Sequence, residues 1–388
     1  MLGACGGKRF RSPSVVGLIW MVSHLQMNSR KIERCLCGLL IVLLGGCASA
    51  LQQSDDPLIY WPKPPAAPRF VYVTTLVSDE SIRRENTEDR FLKALTGAKE
   101  DNRVFAKPFG VAAKGGVVVV TDTVLRQGFI FNLRRQKLYP LGRAGKKGLL
   151  GKPLGVAIGA DSQIYIADVS AKKVIVYDAF GMYLRDIGDF GDLDRPVDVA
   201  VSPDGKQVYV MDAGGIDSRR HRVVVYSAEG AKLFEFGQRG GGAGEFNLPT
   251  QVEIAPNGTV YVLDAGNFRV QVFSADGQFQ RTWGRVGRNF GDFARPRGLA
   301  IGGDGNIYVS DAAFRNVQVF NPKGELLLAI GGKQLLDRPG ELAMPAGIAV
   351  DELQHVYIVD QIFKKVEVLR RLSQQEMETI VAKRRDSR

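Results

Sequence analysis

The fold is decided by the stretch Pro296-Arg-Gly-Leu-Ala-Ile301, which Gly305-Asn-Ile-Tyr-Val-Ser-Asp311 follows after a short gap. The same pattern occurs six times: a proline and an apolar run, then a second run that ends in aspartate. The opening prolines are Pro108, Pro153, Pro196, Pro249, Pro296 and Pro345, and the closing aspartates are Asp122, Asp168, Asp212, Asp264, Asp311 and Asp360. A period of about 45 residues, filled with short alternating runs and glycine turns, predicts the blades of a β-propeller.

Each repeat has the length and turns of four strands. In the fifth repeat the runs are Gly298–Ile301, Asn306–Ser310, Asn316–Phe320 and Glu325–Ile330. Gly-Asp-Gly and Asn-Pro-Lys-Gly separate the first pair and the last pair, and both are turn sequences. We therefore predict an all-β protein, a six-bladed β-propeller with four-stranded antiparallel blades.

The sixth repeat lacks an outer strand, because its last apolar run ends at Leu369. Residues 69–77, Arg-Phe-Val-Tyr-Val-Thr-Thr-Leu-Val, are rich in the β-branched and aromatic residues that favour strands. We expect this N-terminal strand to complete the sixth blade and close the ring without a covalent bond.

The N-terminal region has the features of an export signal. Basic Arg30 and Lys31 precede an apolar run that is too short for a permanent membrane span, and Gly45-Gly46-Cys47 follows it. The end of this region resembles the bacterial lipobox, which implies that Cys47 is acylated. In the alternative interpretation, cleavage occurs elsewhere and Cys47 is incidental. The other cysteines also lie in this region, so no disulfide is available to the repeats.

These observations predict four segments. Residues 1–46 form the signal region, in which Met27, or alternatively Met21, is the expected true start. Residues 47–68 form a lipid-anchored, Pro-rich tether. Residues 69–369 form the propeller, and residues 370–388 form a short basic C-terminal helix or tail, beginning with a Ser373-x-x-Glu376 capping box. Tyr60 and Trp61 either belong to an extended spacer or pin it onto the propeller; both alternatives stay open.

The charge is moderately basic. The whole chain has a formal net charge of +11, and residues 1–46 contain six Lys or Arg residues and one Glu, so the remainder carries +6. This balance is compatible with anionic partners or lipid headgroups. Export argues against nucleic acid as a partner. Ala48 after Cys47, by resemblance to Gram-negative lipoproteins, favours the outer membrane on its periplasmic side.

The repeats resemble the NHL repeat over the span from Pro108 to Leu369. Gly266-Asn-Phe-Arg-Val-Gln-Val-Phe273 in the fourth repeat carries the resemblance, together with the fifth repeat quoted above. NHL propellers include enzymes, RNA binders and interaction platforms. The resemblance therefore implies the fold much more specifically than the function.

A basic residue follows each closing aspartate by four or five positions in five repeats. The pairs are Asp122 with Arg126, Asp168 with Lys172 or Lys173, Asp264 with Arg269, Asp311 with Arg315, and Asp360 with Lys364. We predict that each pair is an ion pair that fixes the loop between the second and third strands. A recurring pair is more typical of a structural clasp than of a binding site.

Three departures from the repeat are candidate functional residues. In the other four repeats a glycine stands two residues after the opening proline, and Asp198 and Gln251 take its place in the third and fourth repeats. Glu253 replaces an alanine of the inner strand in the fourth repeat. We expect these polar groups to lie together at one mouth of the central channel, where carboxylate and amide oxygens could hold Ca²⁺. Otherwise no cofactor is predicted. The alternative is that they are compensated within the fold and bind nothing.

The loops that lead into the blades contain many cations, and they share one face with the loops between the second and third strands. The candidate binding residues on this face are Arg143, Lys147, Arg239, Arg285, Arg288 and Arg297. A basic face of this kind favours an acidic partner.

No catalytic motif was found. Only His221 and His355 follow Cys47, too few for a three-histidine zinc site, and no nucleophile elbow or nucleotide loop is present. We therefore expect a non-catalytic, lipid-anchored propeller that acts as a binding or scaffold module for a protein or polysaccharide at the cell envelope. The alternative is a metal-dependent, lactonase-like or lyase-like enzyme with its site at the channel mouth.

Overall fold

Six antiparallel sheets form the blades of a propeller, and their first strands contact one another in a closed cycle around a central channel. The computed structural model describes residues 58–83, 102–142, 147–215, 217–331 and 336–386. The predicted signal region, Cys47 and Arg143 lie outside these ranges. The prediction of an all-β, six-bladed propeller is confirmed.

The strands follow the chain from the channel outwards in each blade. Blade one contains β3 (Pro108–Lys114), β4 (Val117–Asp122), β5 (Gln127–Asn132) and β6 (Lys137–Leu141). Blade two contains β7 (Pro153–Ile158), β8 (Ile164–Asp168), β9 (Lys173–Tyr177) and β10 (Tyr183–Ile187). Blade three contains β11 (Pro196–Val201), β12 (Gln207–Asp212), β13 (Arg222–Ser227) and β14 (Lys232–Phe236). Blade four contains β15 (Gln251–Ile254), β16 (Val260–Asp264), β17 (Arg269–Phe273) and β18 (Phe279–Trp283). Blade five contains β19 (Pro296–Ile301), β20 (Ile307–Asp311), β21 (Asn316–Phe320) and β22 (Leu326–Ile330).

The sixth blade is completed by the N-terminal part of the chain, as the sequence predicts. Its strands are β23 (Pro345–Val350), β24 (His355–Asp360) and β25 (Lys365–Arg371), and β2 (Phe70–Leu76) pairs with β25 as the fourth strand. The hydroxyl of Thr75 on β2 donates to buried Glu367 on β25 over 2.9 Å. The two ends of the repeat array are therefore joined by a sheet, which closes the ring.

The sequence left open whether Tyr60 and Trp61 belong to an extended spacer or pack onto the propeller, and the structure shows that they pack onto it. They form β1 (Tyr60–Trp61), which pairs with the outer side of β2. Trp61 is only 4% exposed and packs in the core between the fifth and sixth blades. The proline-rich segment at residues 62–68 thus lies between two strands of the same blade.

The C-terminal segment forms helix α1 (Gln374–Asp386), and the predicted capping box at its start is present. The backbone N–H of Glu376 donates to the Ser373 hydroxyl, and the Ser373 N–H donates to the Glu376 carboxylate over 2.8 Å. Arg370 on β25 also binds Glu376, and this hydrogen-bonded ion pair lowers the pKa of Glu376 to about 2. Within the described ranges, no helix has the length and hydropathy to cross a membrane.

The hydrophobic core consists of six clusters, and each lies between two neighbouring blades. The alternation of the strands explains this arrangement, because both faces of every inner sheet are covered by a neighbour. In five blades the opening proline pairs directly with the closing aspartate of the next strand, for example Pro153 with Asp168. Proline is tolerated there because it is the first residue of its strand.

The strand register places the opening prolines and the closing aspartates at one face of the propeller. This loop face is formed by the loops that lead into the first strands and by the loops between the second and third strands. The central channel opens here between the starts of the six inner strands.

Candidate functional site

The six closing aspartates hold the loop face together. All six are fully buried. The Asp168 carboxylate accepts four backbone hydrogen bonds: from Gly151 (2.7 Å) and Lys152 (3.0 Å) in the loop leading into the blade, and from Ser170 (2.9 Å) and Ala171 (3.0 Å) in the other loop. Each carboxylate of this type therefore ties the two loops of its blade together through main-chain donors.

The predicted ion pairs with the following cations are wrong in four blades. The same four-donor arrangement satisfies Asp122, Asp311 and Asp360. The cations proposed as their partners instead occupy a left-handed turn position with φ of 51–56°: Arg126, Lys172, Arg315 and Lys364. Lys173, the alternative partner in blade two, binds Asp186. The recurrence reflects turn geometry, since N–H groups already satisfy the buried carboxylates.

Blades three and four do use a cation. Arg269 binds Asp264 at 2.8 Å, as predicted, and Arg222 binds Asp212 at 3.3 Å. In both blades the loops donate fewer backbone N–H groups to the aspartate than they do in the other four blades. A guanidinium donates to the aspartate in both blades, and in blade four the side-chain amides of Asn267 and Gln271 donate to Asp264 as well.

A cavity of about 380 Å³ occupies the channel mouth on the loop face. We call it the mouth cavity. Four cations contribute to its lining, Lys107, Lys152, Arg195 and Arg297, and no Asp, Glu or His does among the described residues. These cations therefore border a common space to which no acidic side chain of the described residues contributes.

Sequence reasoning missed three of these cations. Lys107, Lys152 and Arg195 each stand directly before an opening proline, as Arg295 does in the fifth repeat. Their backbone N–H groups donate to the closing aspartates, which places the residues at the channel rim. The signal that could have identified them is a basic residue directly before the opening proline in four of the six repeats.

Arg297 was predicted on the exposed basic face, but it lies in the mouth cavity and is half-buried. Its guanidinium stacks on the ring of Phe109 at 5.6 Å and donates to the Gln361 side chain over 3.3 Å. Gln361 is in turn held by the carbonyl of Pro108 over 3.0 Å. Burial and, to a lesser extent, neighbouring Arg295 lower the pKa of Arg297.

The other predicted basic-face residues have different surroundings. Lys147, Arg239 and Arg288 are exposed on the loop face. Arg285 is exposed as well but binds Asp292 of its own loop at 2.8 Å, so part of its charge is used internally. The remaining predicted residue, Arg143, lies outside the described residues.

Large apolar side chains are exposed on the same face. Phe190 is fully exposed, and Phe290 is 76% exposed; both lie in loops that lead into a blade. Val286 accompanies Phe290 in its loop, and Val124 and Ile362 lie in loops between second and third strands. Exposed apolar groups among cations are typical of surfaces that bind other proteins.

Asp198 and Gln251 connect neighbouring blades. The Asp198 carboxylate accepts the N–H of Val252 in the next blade over 2.9 Å, and the Gln251 side-chain oxygen accepts the N–H of Leu299 in the blade after that. Both side chains are buried. In the other blades glycine stands at this position; a Cβ on Gly298 would clash with the carbonyl of Ala346 in the next blade. The polar groups of these two residues are therefore hydrogen-bonded within the fold.

Glu253 lines a second, smaller channel cavity of about 140 Å³. Its neighbours there include Ala112, Ala157, Ala200, Ala300 and Ala349, which occupy the same repeat position. The three residues lie close together, as predicted: Asp198 shares a side-chain hydrogen bond with Gln251 and is near enough to Glu253 to repel its charge. Of the three, Glu253 is the one that lines this cavity. Among the residues that the structure describes, no group of three His, Cys, Asp or Glu side chains could hold a metal ion.

Both carboxyl groups favour their protonated form. Burial raises the pKa of Asp198 to about 8, although the hydrogen bonds it accepts oppose this shift. Burial, with repulsion from Asp198, raises the pKa of Glu253 well above its usual value. A neutral Glu253 adds a proton donor to this cavity, which Lys114 also lines.

Replacing Glu253 with alanine is expected to stabilise the protein as the pH rises. The folded pKa lies above the unfolded one, so the folded state binds more protons and wild type loses stability from about pH 4.5 upwards. The loss is at most about 1.4 kcal/mol per pH unit. We expect Glu253→Ala to be more stable than wild type at pH 8 and to show a flatter profile in urea unfolding between pH 4 and 8. Glu253→Gln, matched in size, should flatten it too; a profile as steep as wild type would contradict the assignment.

The comparisons with known proteins agree with the fold. The family model for the NHL repeat matches residues 246–273. No curated protein matches the sequence. Among solved structures, a streptogramin B lyase superimposes with a TM-score of 0.52 at 13% identity, covering 69% of this chain and 94% of that one.

Two further structures are similar. A gluconolactonase from Xanthomonas campestris has a TM-score of 0.52 at 18% identity, covering 69% of this chain and 87% of that one. A Bacteroides thetaiotaomicron protein of unknown function has a TM-score of 0.54 at 16% identity, covering 70% of each chain. These superpositions establish the fold, and at such low sequence identity they leave the activity open. The chain is a six-bladed β-propeller that carries an NHL repeat in its fourth blade.

Proposed function

We propose that the protein is a non-catalytic docking module whose loop face binds an acidic protein at the cell envelope. The observation that carries the proposal is the combination of exposed cations and exposed apolar side chains on one face, with Arg288 and Phe290 two residues apart in the same loop. Cations of this kind accelerate encounter with an acidic surface, and apolar groups supply the desolvated contacts.

A protein partner is favoured over a polysaccharide. Sugar-binding surfaces use the flat faces of Trp and Tyr. Every Trp and Tyr of the described residues lies within a strand. The apolar side chains on the loop face are Phe, Val, Ile and Leu, which pack against complementary side chains.

The location is part of the same proposal. An apolar run, two glycines and Cys47 support lipidation, and Ala48 supports the outer membrane on the periplasmic side. A lipid anchor would keep the module at the envelope without a membrane-spanning helix.

An enzyme is the second candidate. The titles of similar structures include a lyase and a gluconolactonase, and Glu253 offers one carboxyl group in the channel. The mouth cavity, however, presents no Asp, Glu or His among the described residues that could act as general base or metal ligand. Saturable hydrolysis of a lactone by the purified chain, lost in Glu253→Gln, would favour this candidate over the docking module.

Defined polyanions test whether the loop face binds an acidic partner. Reversing Lys147 and Arg288 to glutamate should weaken binding of poly-glutamate about tenfold or more, because two exposed cations of the loop face become repulsive. The matched control reverses Lys206 and Lys323, two exposed cations in turns on the opposite face. It changes net charge equally and should change the Kd less than twofold. The measurement is fluorescence anisotropy at several salt concentrations.

Two results would contradict this proposal. Equal weakening by both double variants would show attraction by net charge and no defined face. Tighter binding of polygalacturonate than of poly-glutamate, matched in length, would favour the polysaccharide.

A further inference from the structure

The mouth cavity has the features of a small-molecule site, distinct from the docking surface around it. It is concave, its volume is about 380 Å³, and its walls combine apolar and cationic groups. Small-molecule sites are usually preformed cavities of this type, apolar with a few well-placed polar groups.

The cations of the cavity are positioned by the fold. Lys107, Lys152 and Arg195 are tied through their own backbone N–H groups to the buried closing aspartates. Arg297 is placed by its stacking on Phe109 and by its contact with Gln361. Such anchoring lowers the ordering cost of binding, because the backbone of each donor is already fixed.

The charges of these cations are uncompensated. None of the four makes an ion pair with a carboxylate within the ranges that the structure describes. Arg297 has in addition lost part of its hydration to burial, which lowers its pKa and makes an unpaired guanidinium costly. A ligand with negative charge would relieve this cost.

The wall between the cations is apolar. Phe109, Leu154, Val197 and Leu248 contribute to it. The hydroxyl of Thr250, which also lines the cavity, is buried and has no hydrogen-bond partner in the described part of the chain. A buried polar atom without a partner is rare in proteins.

We propose that the mouth cavity binds a small organic anion that carries two or more negative charges on an apolar body. The charged groups contact Arg297 and the cations of the rim, and the apolar body packs against Phe109 and Leu248. The charged groups are carboxylates or phosphates, since both are recognised by the fork of donors on arginine.

The probes are isophthalate, which carries two carboxylates on a benzene ring, phenyl phosphate, and isophthalamide as the neutral analogue of the first. Calorimetry on the full chain should detect saturable one-site binding of isophthalate or phenyl phosphate and none of isophthalamide. Comparison of the two anions distinguishes a carboxylate from a phosphate ligand. Affinity should fall as salt is added, because the attraction is electrostatic.

Variants localise the site. Arg297→Gln should weaken binding of the better anion at least tenfold, and Lys152→Gln, at an exposed position where folding is not at risk, should weaken it several-fold. Lys323→Gln on the opposite face removes the same charge and should leave the Kd within twofold.

The inference is overturned if neither anion saturates the wild-type protein, or if Lys323→Gln weakens binding as much as Lys152→Gln. Loss of anion binding in Arg297→Gln with unchanged poly-glutamate binding would support it as separate from the docking face. If the poly-glutamate test fails and the small anions still bind, the docking proposal is contradicted and the proposal of an anion site in the mouth cavity is supported.

Discussion

Replacing Asp168 with alanine is expected to lower the free energy of unfolding by about 4 kcal/mol. The Asp168 carboxylate is fully buried and accepts four backbone N–H groups from two loops. Alanine leaves all four donors without a partner, and each buried unsatisfied donor costs about 1–3 kcal/mol. Water that enters the vacated space offsets part of this cost, so we take the lower end for each donor.

Urea unfolding followed by tryptophan fluorescence measures the loss. The matched control is Asp161→Ala, since Asp161 accepts one backbone N–H, that of Gln163, in an exposed turn. Its cost should stay below about 1 kcal/mol. Asp168→Asn keeps the shape and one acceptor oxygen and should fall between the two. Equal losses for Asp161→Ala and Asp168→Ala would show that the four bonds do not hold the loops.

The fold could be predicted from the sequence because its determinants are local and repeated. An opening proline, a closing aspartate and glycine turns recur in each repeat, so errors in reading any one repeat are corrected by the others. Closure of the ring by residues 69–77 could be predicted because the sixth repeat lacks an outer strand of its own. The capping box at Ser373 was readable because it involves only four neighbouring residues.

The site was less predictable because its determinants are distant in sequence. The partners of Asp198 and Gln251 are backbone N–H groups of the next blade, which no pattern reveals. The ion pairs expected at the closing aspartates were wrong in four blades, because spacing alone cannot show that a buried carboxylate is already satisfied by main-chain donors. The mouth cavity is formed where the six inner strands converge, and this convergence places Arg297 in its lining. The sequence of a single repeat does not reveal such an arrangement.

Replacing Trp61 with alanine is expected to cost about 3–5 kcal/mol of unfolding free energy, the range for large aromatic side chains in a core. Trp61 lies outside the repeats, yet it is 4% exposed and packs between the fifth and sixth blades. Its indole N–H has no hydrogen-bond partner among the described residues, so the loss comes from packing. Leu58→Ala in the same segment is the control; Leu58 is 64% exposed and its replacement should cost less than about 0.5 kcal/mol.

The contact with Gly340 makes this prediction specific. A Cβ added to Gly340 would overlap the Trp61 ring, and the residue has a φ of +75°. Gly340→Ala therefore carries a backbone cost of about 1 kcal/mol and, in wild type, a further cost of displacing the indole. In a Trp61→Ala background only the backbone cost remains, so the two losses should be less than additive by about 1–2 kcal/mol. Strict additivity in the four-variant cycle would mean that Trp61 does not lie on Gly340, and that the N-terminal segment does not lock the last blade to its neighbour.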